Sequence, residues 1–173
     1  MIFPVIAAIA AAGAVWSLFA SGSALLTRMA PEWKAKLGPS KLAMVQLIAQ
    51  EFAEAGLSER AQAAAVANAW AESGLDPAID TGDGGRSVGL FQLHSGGAGH
   101  GMSVKDRQDP LINTRTILER EVLAKRGAAF RAADAAGKDC GVLAAIFSRD
   151  IERPKLNHEA GRAAIARSMF PGL

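Results

Sequence analysis

The chain has no tyrosine, one cysteine and no charged side chain before Arg28. Each shortage removes a class of explanation. A lone Cys140 excludes an internal disulfide, so the fold must be held by apolar packing. The absence of tyrosine, set against abundant alanine, favours helices over a sandwich or barrel. A formal net charge of +2 is too small to argue for nucleic acid, and none is expected as a partner. There is no His-Glu-x-x-His pair, so no metal is expected; His94, His100 and His158 are the only histidines. The glycines of 82–89 come without a Gly-Lys-Ser/Thr, which removes a phosphate loop, and no cofactor is expected. What remains is 173 residues, 50% hydrophobic and 21% charged, enough for one domain with a core and an appendage.

The appendage is expected at the start. Residues 2–26 are apolar apart from serines and glycines, and at roughly 1.5 Å per residue such a run can cross a bilayer core of about 30 Å. Residues 1–27 are therefore expected as a membrane-inserting helix. A cleaved signal peptide, with Gly22-Ser23-Ala24 as its small-residue site, and a helix buried in an assembly are the alternatives. The cations that follow, Arg28, Lys34 and Lys36, would keep the next domain on the cytoplasmic side of the cell that makes it. Residues 28–39 read as a linker through Pro31, Gly38 and Pro39, and one domain is expected over 40–173.

Within that domain the signals are helical. Ser40 reads as a cap, and Leu42, Val45, Ile48 and Phe52 recur at helical spacing up to Gly56. Ser58 caps a second helix whose buried side would be Ala61, Ala64, Ala65, Ala69 and Trp70, ending near Glu72 with Gly74 at the left-handed closing position. Turn residues fill 75–87. Residues 88–93 are too short for a helix and are expected as a strand of a small hairpin, followed by a loop over 95–101. Asp109-Pro110 starts a helix that runs to Gly127, Phe130 to Ala136 forms a short one, and an apolar stripe runs over 139–150. Asn157 caps a last helix with Ala160, Ala164, Ile165 and Met169 inward. The fold class is mainly α, with one small β-hairpin.

The chemistry concentrates in Ala67–His94. A helix C-terminus puts unpaired carbonyls beside Glu72, and Trp70 and Leu75 could desolvate it. Both raise a carboxyl pKa toward that of a general acid. The glycines downstream leave room for a polymer to approach the backbone. Glu72-Ser73-Gly74-Leu75-Asp76-Pro77, followed at the right interval by Gly89-Leu90-Phe91-Gln92-Leu93, resembles the lysozyme-like superfamily of soluble lytic transglycosylases, goose-type lysozymes and phage tail lysozymes. Asp109-Pro110 with Asn113 is similar to the helix start found there, and Phe147–Pro154 looks like the closing segment of phage-type members.

The resemblance, over roughly 58–154, implies a lysozyme-like fold with the hairpin beside a cleft and a muramidase cutting the β-1,4 bond after N-acetylmuramic acid in peptidoglycan. It implies Glu72 as general acid and then base, with Ser73 behind it. Gln92 and nearby backbone at Gly89, with Asp83, His94 and Asn113, would bind the glycan. Lysozymes of this kind orient water with a hairpin aspartate, for which Asp80 and Asp83 are the candidates; turn chemistry is the better account of each, Asp83-Gly84 especially. Transglycosylases carry Ala-Tyr-Asn-Ala-Gly late in the domain, where this chain has Ala145-Ile146-Phe147-Ser148-Arg149, which points to the phage-type group. The expected role is local wall opening as a phage enters a cell or macromolecules cross, at the virion or the membrane and within the bacterial periplasm. The alternatives are a virion or secretion-apparatus component with an inactive, glycan-binding domain, and a membrane-anchored wall-remodelling enzyme.

Overall fold

The computed structural model describes residues 24–153 and 157–173. The hydrophobic run expected to insert in a membrane lies outside the described residues except for its last turn, 24–28, which is helical. No helix among the described residues is long and apolar enough to cross a membrane.

The centre is α2, Glu59–Ser73, and α1, Pro31–Glu54, packs along it. Ser58 caps α2, accepting from the Ala61 amide, and Gly74 closes it at φ 64. A helix with a polar outer face would bury one stripe, as expected from the sequence. Instead Ala61 and every residue from Ala63 to Ala69 are buried, while Trp70 is only half-buried. Alanine all round lets neighbours close on every side, which makes this the core helix. Two polar side chains lie in the buried stretch 61–69: Gln62 donates to the Leu57 carbonyl, and Asn68 to the Ala64 and Ala144 carbonyls.

The segment expected as a linker is part of the packed body. α1 begins at Pro31 and leaves helical geometry only at Gly38, φ 68, with Pro39 restarting it. Leu25, Met29 and Leu37 are buried, the Ala30 amide donates to the Met169 carbonyl at 2.9 Å, and Trp33 packs edge-on against Trp70 while its Nε1 donates to Ser168 at 2.8 Å. Two prolines and a glycine signalled a break, and the break proved to be one residue wide.

Beyond the hairpin come α3, Val104–Gln108, and α4, Pro110–Ile117, which Asp109 caps by accepting from the Leu111 and Ile112 amides. The helix expected to reach Gly127 loosens at Leu118–Val122 into a π-turn. α5, Ala128–Ala135, and α6, Cys140–Ile146, follow, and a second π-turn, Phe147–Glu152, continues α6. The Phe147 ring is the hub of the core, with Phe52, Phe91 and Phe130 at centroid distances of 6.4, 5.9 and 5.5 Å. α7, Glu159–Met169, closes the molecule against α6 and α2. Its buried face is Arg162, Ala166 and Met169, whereas Ala160 and Ala164 are exposed.

Candidate active site

The expected strand 88–93 is a complete hairpin. β1 is Ser87–Val88 and β2 is Leu93–His94, antiparallel, with Ser87 opposite His94 and Val88 opposite Leu93. The four residues between them turn back: Gly89 has φ 81, Gln92 has φ 45, and the Gln92 amide donates to the Gly89 carbonyl at 3.1 Å. Leu90 and Phe91 at the tip are buried, so the turn dips into the core and its backbone needs internal partners. Ser73 Oγ donates to the Leu90 carbonyl at 2.9 Å. Asn113 Oδ1 accepts from the Phe91 amide at 3.0 Å, and its Nδ2 donates to the Val88 and Arg107 carbonyls. Arg107 in turn donates to the Arg86 and Leu93 carbonyls at 2.6 and 2.9 Å.

This network engages several of the residues expected to contact substrate. Asn113 is fully buried and spends both ends of its amide on the turn, so it does not face a ligand. Gly89 is buried too; a Cβ there would overlap the Arg107 carbonyl and the Asn113 amide, so glycine is required for packing, not for glycan approach. Ser73, 5% exposed, clamps the Glu72-bearing helix end to the hairpin. The two sequence blocks therefore travel together for a mechanical reason.

Beside the hairpin lies an open cleft of about 750 Å³. Glu72, Asp83, Gln92 and His94 line it, as does Arg86; Asp80 does not. Gln92 Nε2 is tied to the Gly89 carbonyl at 3.0 Å, and His94 Nδ1 accepts from the Gly96 amide at 3.0 Å, so both side chains are held on the wall. Asp83 sits at φ 49 and accepts from Ser87 Oγ at 3.0 Å, which keeps its carboxylate on the hairpin rim. Thus Asp83 is both a turn residue and a cleft residue. Among the described residues no three His, Cys, Asp or Glu gather as a metal site.

Opposite the hairpin the structure adds two groups that sequence reasoning passed over. Glu152, at the end of the second π-turn, lines the cleft floor with its side chain 5% exposed, and Arg162 reaches it from α7 at 3.5 Å. The same Arg162 NH2 donates to Glu72 Oε1. Burial raises the Glu72 pKa above its ordinary value against the pull of Arg162, of Glu152 and of His158, all of which favour the carboxylate; Asp83 pushes the same way as burial. Burial raises Glu152 well above the carboxylate range, and the Glu72 charge raises it further. Two carboxyls bridged by one guanidinium can hold a proton at neutral pH and release it to a ligand. Neither Glu152 nor Arg162 stands in the motif that marks Glu72. The hints in the sequence were the Phe147–Pro154 segment, which contains Glu152, and an arginine in the middle of a helix otherwise rich in alanine.

The family model described as phage tail lysozyme matches residues 43–173. No curated protein matches the chain, and no solved structure does.

Proposed function

This chain belongs to the phage tail lysozyme family, and from that premise we propose that it cleaves the glycan strands of peptidoglycan at the β-1,4 bond after N-acetylmuramic acid. The observation that carries the reading is Glu72. It is a carboxyl 22% exposed, at the end of the core helix, facing an open cleft, with burial raising its pKa. A protonated carboxyl at that place can donate to the glycosidic oxygen and then, as carboxylate, accept a proton from the incoming hydroxyl. Gln92 and His94 on the wall would contact the sugars. Asp83 on the hairpin rim is the group that could orient water; without it, the substrate's acetamido and 6-hydroxyl groups would complete the reaction and leave an anhydro end. The part of the charge-free run that precedes the packed Leu25 would insert in a membrane, and virion or secretion-apparatus proteins would deliver the domain to the wall for local opening.

One contact favours a second reading, a glycan-binding domain that does not turn over: Arg162 on Glu72 stabilises the carboxylate, the wrong form for an acid. Purified sacculi separate the two. Turnover by the wild type, loss of turnover in Glu72→Gln with unchanged circular dichroism, and release of muropeptides identified by mass spectrometry support the enzyme. Binding without any released product sinks it. The same spectra distinguish reducing from anhydro ends and so decide whether water is the acceptor.

A further inference from the structure

The cleft has a feature that the motif does not account for. Arg162, 10% exposed on its side chain, is shared by two carboxylates, Glu72 at the mouth and Glu152 on the floor. Neither Glu152 oxygen has a hydrogen-bond donor from the rest of the protein among the described residues. A buried carboxylate of that kind is strongly disfavoured unless it is protonated or fully paired. With one cation between two carboxyls, the neutral state of the set carries one proton. With no proton the buried set is an anion; with two it is a cation.

We propose that Glu152 is a positioning residue for the cleavage reaction: coupled to Glu72 through Arg162, it stores the proton that Glu72 delivers once the glycan arrives. The proposal rests on the reading of Glu72 as the acid. In the resting protein the proton lies between Glu152 and Glu72. As the glycan displaces water from the mouth, the proton passes from Glu152 to Glu72 and on to the leaving glycosidic oxygen. The negative charge now on the pair is held by Arg162, which touches both. When Glu72 acts as base, the proton taken from the incoming hydroxyl restores the starting state, so no proton is gained or lost over the cycle.

The groups that could otherwise set this balance can be named. Glu152 faces Glu72 from α2 and Arg162 from α7; Glu72 also feels His158 at the head of α7 and Asp83 on the hairpin. Of the charged groups on the other elements around the π-turn, Glu121 lines the same cleft and pairs with Arg126, Arg153 lines it beside Glu152, and Lys125 is exposed; Arg131 donates to the Val122 and Ala124 carbonyls, and Asp134 accepts from Ser58.

The test is the pH profile of kcat/KM on sacculi. Glu152→Gln leaves Arg162 paired with Glu72 alone. Its alkaline limb should move toward acid, costing about tenfold in rate at neutral pH for each unit moved, with KM little changed. Glu152→Gln with Arg162→Gln removes the lone cation and should return the limb toward the wild-type position. Glu152→Asp keeps the titrating proton and should keep the wild-type limb. A wild-type profile in Glu152→Gln overturns the proposal. So does a variant that melts lower and whose residual activity follows the wild-type profile, since that marks a packing role only. Infrared titration of the carboxyl stretch is independent of turnover. One carboxyl should stay protonated at neutral pH in the wild type and be missing in Glu152→Gln. Its absence from the wild type overturns the shared proton even if the enzyme is active, whereas its presence in a protein without turnover counts against the proposed activity alone.

Discussion

Asn113 is where the residue scale is easiest to read. Its amide answers two backbone groups of the buried hairpin turn, at Val88 and Phe91, and the Arg107 carbonyl of α3. Asn113→Ala would orphan them all, and roughly 3 kcal/mol of stability should be lost in denaturant melts, with Glu72 itself untouched. Glu152 behaves oppositely. Its pKa in the folded protein lies above the unfolded value, so its protonation stabilises the fold fully at pH below the unfolded value. That contribution is lost as pH rises through the raised folded value. Glu152→Gln should accordingly melt like the wild type in acid and above it as pH rises; melting curves across that range check the sign. A residue that costs stability at working pH and is nonetheless buried at the site is the expected signature of function over packing.

At the scale of elements, the hairpin and the second π-turn face each other across the cleft. The motif marks the hairpin because its turn needs particular residues: glycine at φ 81 and an amide donor and acceptor beneath it. The π-turn needs no particular residue type. Its one extra residue per turn sets the direction in which Glu152 points, and such turns recur at functional sites. Deleting one residue from the turn, such as Asp150, should restore α-helical register and swing Glu152 by about 100° from the cleft. The expected result is a folded protein by circular dichroism whose clearing of sacculi falls to the level of Glu152→Gln or below. Retained wild-type clearing would show that the direction of the turn does not matter.

For the whole molecule, the packed body begins earlier than the prolines suggested. Leu25 and Met29 are buried against the core and Ala30 is hydrogen-bonded to Met169. A chain starting at Pro31 should be less stable than one starting at Ala24, by roughly 1.5–3 kcal/mol for each large apolar side chain removed; paired melting curves measure the difference.

Local chemistry in the sequence determined the elements with strong start and stop signals: Ser58 and Gly74 around α2, Asp109-Pro110 at α4, and the acid at the end of the core helix with glycine-rich turns behind it. These depend on neighbours within a few residues, so the sequence displays them. It could not display which face of α7 is buried, because Arg162 is acceptable inside only beside carboxylates from α2 and the π-turn, 90 and 10 residues away. Nor could it separate Asn113 or Gly89 from a glycan contact, since a buried amide and a cleft amide look alike until their partners are in place. The identity of the acid is local, whereas the environment that sets its proton is assembled from distant segments and is decided by the tertiary structure alone.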